Sequence, residues 1–358
     1  MQKIGLLLGL LLGLGSTAIA QSTKEIALAK ARQAIELMDA GKTQESVALL
    51  EEAHQLDPSD YNYSYELALA HYMQKDYAIA VAQLEPLLSH PRTSERTYQL
   101  LGNSYDMARK PEQAKATYEN GLRKFPGSGP LYLESGNLEL GQKNYAAALD
   151  FYEKGIELAP AFPSNYYRAA LLYLSSSQKH WGMLYGELFM NLERNTARTA
   201  EISKLLYDTY KSGIEIKDKN SYELHFSQTV IDASTLQKGK KLKLPYGMTY
   251  ETTLGVAVAG QEAINLASLN IIRSGFIDTY YAMKRNAEYP NVLFEYERSI
   301  AKAGHQEAYN YWILMKGDEV SFREWYKQNE PKYQALAGWF KENPLTLDAR
   351  HKFYSAQY

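Results

Sequence analysis

The sequence of 358 residues contains no cysteine, and this excludes disulfides, thiolate nucleophiles and cysteine-ligated metal sites. It also excludes the acylated cysteine that anchors a bacterial lipoprotein. Charge of neither sign prevails, because 39 Lys and Arg face 41 Asp and Glu for a formal net charge of −2. Nucleic-acid binding requires a surplus of positive charge, so nucleic acid is not an expected partner. Beyond residue 20, no apolar run is long enough to predict a transmembrane segment in the mature chain.

The first twenty residues have the three parts of a secretory signal peptide. Lys3 supplies the positive start, residues 4–14 the apolar stretch, and residues 18–20 a cleavage site with small side chains. Glycines at every fourth position from 5 to 13 would also suit paired membrane helices, but no charged stop-transfer flank follows them. We therefore expect cleavage after Ala20 and a mature chain that is periplasmic or secreted.

Small residues recur at intervals of 34 positions in two series, which indicates an internal repeat. One series is Ala34, Ala68, Gly102, Gly136 and Ala170, and the other is Ser46, Ala80, Ala114, Ala148 and Gly182. Prolines that would end the second helix of a unit follow in near register, at Pro58, Pro91, Pro126 and Pro160. Each unit is predicted to be a helical hairpin whose two helices cross closely, because only small side chains fit where they touch.

The unit Glu95–Ser128 resembles the tetratricopeptide repeat family. The residues that carry the resemblance are Tyr98, Leu101, Gly102, Tyr105, Ala114, Tyr118 and Pro126. Further units begin near residues 27, 61, 129 and 163, so the repeat array is predicted to span residues 21–196. The resemblance implies an all-α fold, in which helix-turn-helix repeats form a right-handed superhelical array that binds other proteins or peptides.

Residues 197–358 keep a helical pattern without a clean repeat, and are predicted to be a helical C-terminal region that caps the array. Within it, residues 216–250 differ, because Tyr222, Leu224 and Phe226 alternate with polar residues. Alternation is typical of short strands or a hairpin, and a long ordered loop explains the same residues. Lysines at positions 238, 240, 241 and 243 indicate either a solvated loop or a contact for an anionic partner.

Known catalytic and metal-binding patterns are missing from the sequence. Gly41-Lys42-Thr43 lacks the glycine that a phosphate-binding loop needs at position 36, where Glu36 stands. The seven histidines are scattered, with no HExxH spacing, and no GxSxG nucleophile elbow occurs. We therefore expect no metal, no cofactor and no enzymatic activity.

Aromatic residues cluster near the C-terminus, where they form either core or a platform for a sugar ring or a partner helix. They are Tyr309, Tyr311, Trp312, Phe322, Trp325, Tyr326, Trp339 and Phe340.

The best candidate for a binding surface is the concave side of the array, which the first helix of each hairpin lines in the family that the chain resembles. The residues predicted to line this groove are Tyr65, Leu69, Tyr72, Met73, Arg96, Gln99, Asn103, Asp106, Met107, Asn137 and Tyr167. Asn103 and Asn137 are equivalent in neighbouring units, and their amides either bind the backbone of an extended peptide or satisfy local hydrogen bonds. Relatives that clamp a terminal carboxylate have a lysine where this chain has Gln99 and Leu133, so that specificity is not expected.

Three functions remain open at this point. The first is an exported scaffold that binds protein or peptide partners in the groove. The second is a protein that binds carbohydrate or another small molecule through the C-terminal aromatic residues. The third is an enzyme with a site in the C-terminal half, for which the uninterpreted residues 216–250 leave room. The oligomeric state does not follow from the sequence.

Overall fold

The computed structural model describes the backbone of residues 5–218, 221–228 and 244–358, and side chains from residue 22 onward. In this part of the chain there are seventeen α-helices and a single two-stranded hairpin, so the predicted all-α fold is confirmed. The chain divides into two compact units, residues 1–138 and 139–358. The predicted end of the repeats near residue 196 falls inside the second unit and stays a prediction. None of the described helices has the length and apolar character needed to cross a membrane.

The first unit consists of helices that pair in sequence order. They are α1 (Gly5–Asp39), α2 (Thr43–Leu56), α3 (Tyr61–Met73), α4 (Tyr77–Leu84), α5 (Glu95–Met107), α6 (Pro111–Lys124) and α7 (Gly129–Gly141). A single turn of 3-10 helix, Pro86–Ser89, follows α4. The boundary between the two units lies within α7.

The second unit continues with further helices and contains the hairpin. Its helices are α8 (Tyr145–Leu158), α9 (Pro163–Leu174), α10 (Lys179–Leu192), α11 (Ala197–Gly213), α12 (Tyr246–Val258), α13 (Leu266–Ala282), α14 (Arg285–Glu288), α15 (Val292–Lys302), α16 (Gln306–Leu314) and α17 (Glu319–Glu342). Strands β1 (Ile214–Asp218) and β2 (Ser221–Leu224) pair antiparallel, with Ile216 opposite Tyr222. The alternating residues thus form a strand, and Phe226 lies fully buried just after it. The four lysines at 238–243 lie outside the described residues.

The predicted period is present in the helix boundaries. Helices α3, α5, α7 and α9 begin at residues 61, 95, 129 and 163, which are 34 positions apart. All ten small residues of the two series are buried. At Gly102 an added Cβ would lie 2.1 Å from the ring of Tyr118, so the helices of that hairpin approach too closely for any larger side chain. The small residues therefore have the role that the sequence predicts for them.

Each of the first four hairpins turns through a residue with left-handed backbone conformation at the same position of the repeat. These residues are Gly41 (φ 76°), Lys75 (φ 69°), Arg109 (φ 60°) and Lys143 (φ 64°). In the third turn, the amide of Lys110 donates to the carbonyl of Tyr105 at 2.9 Å and that of Arg109 donates to Asp106 at 2.8 Å. This pattern caps the carbonyl groups at the end of the first helix, and it requires φ above zero at one residue. Glycine adopts that conformation without strain, whereas arginine and lysine do not.

The left-handed turn predicts opposite effects for glycine at two adjacent positions. Arg109→Gly should raise the free energy of unfolding by up to about 1 kcal/mol, because it removes the strain of a Cβ at positive φ. Lys110→Gly is the control: this residue has a φ of −117°, so glycine there gives no relief and adds entropy to the unfolded chain. Urea unfolding followed by circular dichroism measures both. Equal effects of the two substitutions would contradict the explanation.

Candidate functional site

The predicted groove residues of the first unit lie on the first helices of successive hairpins. On α3, Tyr65, Leu69 and Tyr72 are partly buried against a core cluster that includes Ala68 and Leu84. Two methionines are more open: Met73 is 46% exposed and Met107 is 50% exposed. Methionine side chains are flexible and polarizable, so they suit contact with ligands of varied shape.

Glu134, on α7, lies between two of the predicted groove residues. Gln99 Nε2 donates to one carboxylate oxygen of Glu134 at 3.0 Å, and Asn137 Nδ2 donates to the other at 3.1 Å. Glu134 was not among the residues predicted from the sequence. The available signal was its position three residues before Asn137, which places both side chains on one face of the helix.

Asn103 and Asn137 differ in their local partners. The hydroxyl of Tyr118 donates to Asn103 Oδ1 at 2.5 Å, whereas Asn137 donates to Glu134. Each amide therefore makes a hydrogen bond within the chain, as the simpler interpretation requires. Peptide binding through the two asparagines stays a prediction.

Negative charge prevails on the surface around Glu134. Burial raises the pKa of Asp106, and the nearby charge of Glu134 raises it further. Burial likewise raises the pKa of Glu66, while Arg96 opposes that shift. Burial is the main cause of the raised pKa of Tyr72, and among the smaller contributions are those of Glu134 and Asp106. The contribution of Glu134 to the pKa of Asp106 indicates that these two carboxylates are close enough to repel each other, and a cation beside them would reduce that repulsion.

Tyr167, the last predicted groove residue, belongs to the second unit and is engaged there. Its hydroxyl donates to a carboxylate oxygen of Glu201 at 2.6 Å. Its ring lies under the guanidinium of Arg198 at 5.0 Å and against Phe189 at 5.2 Å. These contacts fix the ring between α9, α10 and α11.

A buried polar network, which was not predicted from the sequence, occupies the interior of the second unit. The guanidinium of Arg273 donates from Nη1 and Nη2 to both carboxylate oxygens of Glu187. It also donates to Glu297 at 3.2 Å, to the hydroxyl of Tyr210 at 3.2 Å and to Asn310 Oδ1 at 3.0 Å. Five donors thus meet five acceptors from helices α10, α11, α15 and α16, which is the full capacity of an arginine.

Glu297 is the member of this network whose protonation is most perturbed. Burial raises its pKa well above the ordinary value, and the charge of Glu187 raises it further, while Arg273 lowers it. If Glu297 keeps its proton, the charges of Arg273 and Glu187 balance in the interior. The cavity beside the network has a volume of only about 20 Å³, which accommodates about one water molecule. The paired carboxylates therefore have no room for a substrate and are best explained as structural.

The closest approach to a metal site among the described residues is on the exposed face of the hairpin. Ligand atoms of Glu215, Glu223 and His225 lie within 4.8 Å of one another. Lys217 forms ion pairs with both carboxylates of this group. The ammonium group of Lys217 therefore already neutralises part of the negative charge that would attract a divalent cation.

The C-terminal aromatic residues are mainly core. Tyr309, Tyr311, Trp312, Trp325 and Phe340 are all at least 92% buried. Tyr311 and Trp325 stack with ring centroids 4.3 Å apart. The remaining three residues of the predicted platform, among them Trp339, are partly buried. This arrangement favours the core interpretation over a platform for carbohydrate.

Stacked helical hairpins with a common 34-residue period define a helical-repeat protein. Residues 31–87 and 100–166 match the model of the tetratricopeptide repeat family. Residues 31–166 therefore contain tetratricopeptide repeats, as the resemblance of residues 95–128 implied.

Several solved structures are similar to part of the chain. PilF of Pseudomonas aeruginosa has 19% identity and a TM-score of 0.45, over 53% of this chain and 86% of PilF. A thermophilic tetratricopeptide repeat protein of Thermus thermophilus has 18% identity and a TM-score of 0.42, over 50% and 98% of the two chains. YrrB, described as having an unusual peptide-binding site, has 15% identity and a TM-score of 0.36, over 51% and 94%. No curated protein matches the chain in sequence.

The raised pKa of Glu297 predicts that the free energy of unfolding depends on pH. The folded protein binds this proton more tightly than the unfolded chain does, so the resulting stability is complete below the unfolded pKa of about 4.3. That stability is lost as the pH rises through the folded pKa of Glu297. Urea unfolding at pH 5 and pH 8 should therefore show a lower stability at pH 8, by at most about 1.4 kcal/mol for each pH unit between the unfolded and folded pKa of Glu297.

Glu297→Gln should weaken this dependence, because the amide resembles the protonated acid and carries no charge. The matched control is Glu295→Gln on the same helix, where the side chain is exposed. That control should keep the pH dependence of the original protein. An unchanged pH dependence in Glu297→Gln would contradict the protonation of Glu297.

Proposed function

We propose that the chain is a scaffold that binds an extended segment of a partner protein along the groove surface of its first unit. By groove surface we mean the side of α3, α5 and α7 that carries Glu134 and the predicted groove residues of the first unit. The observation that supports this most is the set of polar and flexible groups that three successive hairpins supply to it. Binding needs no catalytic group, and the paired carboxylates that could have served as one lie at a cavity of about 20 Å³.

The charges on the groove surface favour a partner segment that contains lysine or arginine. Asp106, Glu134 and Glu66 supply three carboxylates, and Arg96 supplies a single positive charge. Glu134 already accepts hydrogen bonds from Gln99 and Asn137, so its position is fixed before a ligand arrives. A preorganised carboxylate loses little side-chain entropy on binding. The exposed Met73 and Met107 would contact the apolar stem of the cationic side chain.

A peptide display library panned against the chain tests whether the groove surface prefers segments with lysine or arginine. The enriched peptides are expected to contain Lys or Arg, and binding of a synthetic copy should weaken at high salt. The double variant Asp106→Asn/Glu134→Gln should weaken that peptide about tenfold, which corresponds to about 1.4 kcal/mol. Fluorescence anisotropy of the labelled peptide measures the change.

The control for this test is the double variant Glu112→Gln/Glu119→Gln. It also removes two negative charges, but from exposed positions on α6, the second helix of the third hairpin. Peptide affinity should stay within about twofold of the original, because long-range effects between exposed charges are screened. Equal losses in the two double variants would mean that net charge, and not the groove surface, determines binding.

We also propose that residues 1–20 direct export and are removed. Two observations support the proposal: the sequence has the parts of a signal peptide, and the first described side chain of α1 that is fully buried is Ala27. Ala27, Ala31, Ala34 and Met38 form the contribution of α1 to the core cluster with α2 and α3. Cleavage after Ala20 would leave these four residues in place.

Expression of the complete sequence in a Gram-negative host tests this export. The protein recovered from the periplasm or the medium should begin at Gln21 when its N-terminus is sequenced. Changing Ala18 and Ala20 to arginine should block processing, because the cleavage site needs small residues. A mature protein that retains Met1 in the cytoplasmic fraction would contradict the proposal.

A further inference from the structure

A cavity of about 400 Å³ opens to solvent in the second unit, and none of its lining residues belongs to the groove surface or to the hydrogen bonds of Arg273. It lies where the end of α9 meets the start of α10, and the start of α12 and the C-terminal residues complete it. Its wall includes Tyr173, Trp181, Tyr246 and Tyr358, and its polar rim includes Gln178 and Gln228. Sites for small molecules in proteins commonly have volumes of about 300–1,000 Å³.

Aromatic rings form a continuous wall of this cavity. Trp181 and Tyr246 stack with centroids 4.8 Å apart at an interplanar angle of 21°. The ring of Tyr358 lies 5.0 Å from that of Tyr246. The rings hold one another in place, since Trp181 and Tyr246 are both more than 90% buried. A rigid aromatic wall suits a flat ligand with an apolar face.

The rim of the cavity is fixed by hydrogen bonds to residues 226–228. Two of these bonds are backbone to backbone: His180 N donates to Phe226 O at 3.1 Å, and Gln228 N donates to Ser177 O at 3.0 Å. Gln178 Nε2 donates to Gln228 O at 3.2 Å. A carboxylate oxygen of Glu251 accepts from the amides of Phe226 and Ser227 at 2.8 and 2.7 Å. The rim is therefore ordered without a ligand, which lowers the entropic cost of binding.

The side chains in the described lining of the cavity carry no formal charge at neutral pH. Among the described residues, no Lys, Arg, Asp or Glu contributes to it, and its single histidine, His180, is buried. Burial lowers the pKa of His180 to about 4, so the ring is neutral at pH 7. Its Nδ1 lies 3.3 Å from the carbonyl of Phe226, which places the proton on Nδ1 and leaves Nε2 as an acceptor. The hydroxyl of Tyr173 is already used, because it donates to Glu153 at 2.8 Å.

From these features we propose that the cavity binds a neutral sugar ring, such as a monosaccharide or one unit of an oligosaccharide. The ring of Tyr358, which is the partly exposed member of the aromatic wall, would face the apolar C–H side of the sugar, and the buried rings of Trp181 and Tyr246 would hold it in place. The side-chain amides of Gln178 and Gln228 both donate and accept, as vicinal hydroxyls require. A charged ligand would lose its hydration without meeting an oppositely charged side chain among the described lining residues. A wholly apolar ligand would bury these polar groups without partners, at a cost of about 1–3 kcal/mol for each.

Saturation-transfer NMR on the complete chain tests the proposal with defined sugars. The neutral probes are glucose, galactose, mannose and N-acetylglucosamine, and the charged probes are glucuronate and glucosamine. At least one neutral sugar should bind with a dissociation constant of about 1 mM or tighter, and the charged sugars should bind more weakly. Absence of binding by all neutral sugars, or stronger binding of the charged ones, would overturn the proposal.

Two variants test whether a sugar that binds the protein does so in this cavity. Gln228→Trp places a large ring in the cavity from an exposed position and should weaken the neutral sugar at least tenfold. Tyr358→Ala removes part of the aromatic wall and should have a similar effect. The matched controls are Gln328→Trp on α17 and Tyr145→Ala on α8, both at exposed positions far in sequence from the cavity lining, and both should bind as the original does.

Circular dichroism of each variant separates loss of the cavity from loss of the fold. If Tyr358→Ala does not fold, Gln228→Trp alone decides the result, because it removes no contact of the wall. Sugar binding that persists unchanged in a folded Gln228→Trp would overturn the assignment. The double variant Asp106→Asn/Glu134→Gln should keep the sugar affinity of the original, since it alters only the first unit.

Discussion

The repeats of this protein depend on the close crossing of two helices in each hairpin. The crossing requires a small side chain on both helices, and the two series from Ala34 to Ala170 and from Ser46 to Gly182 supply it. At Gly102 the ring of Tyr118 occupies the space that a Cβ would fill. The same tyrosine donates its hydroxyl to Asn103, on the side of α5 that we assign to the groove surface. In this hairpin, Tyr118 therefore contributes both to the packing of the two helices and to the position of Asn103 on the groove surface.

The second unit is organised around a different interaction. Arg273 links four other helices through five hydrogen bonds. Removal of Glu187, the partner that balances its charge, would leave an uncompensated charge, which typically costs about 3–5 kcal/mol. The arginine therefore specifies one arrangement of α10, α11, α15 and α16 around α13. The close crossings at small residues recur in every hairpin of the repeats. The Arg273 network occurs once and determines how five particular helices pack together.

Features that the sequence predicts well are those with a local or periodic cause. The helix starts at 61, 95, 129 and 163 follow from the spacing of small residues, because that spacing is set by one hairpin. The positions of the groove residues follow from the same register. Glu134 could have been found from its position three residues before Asn137, whereas its hydrogen bond with Gln99, 35 positions earlier, follows only from the packing of α5 against α7. The left-handed turns were also missed, because only Gly41 has a residue type that signals them.

The network and the aromatic cavity could not be predicted for the same physical reason, which is the long separation of their parts. Glu187 and Arg273 are 86 positions apart, and the cavity combines residues 173–181 with residues near 245 and 355. Hydrophobic periodicity reports which side of an element is buried, and not which distant element covers it. The C-terminal aromatic residues illustrate this limit, because their composition fits either a core or a platform until their neighbours are known.

The span of the network has a consequence for the order in which the chain becomes structured. Contacts within the first unit join neighbouring hairpins, so each can form as soon as about 70 residues have left the ribosome. The network needs Asn310 before the donors of Arg273 are satisfied. The arrangement of α10, α11, α13 and α15 around Arg273 therefore stays incomplete until Asn310 has been synthesised, and aggregation is most to be expected in that interval.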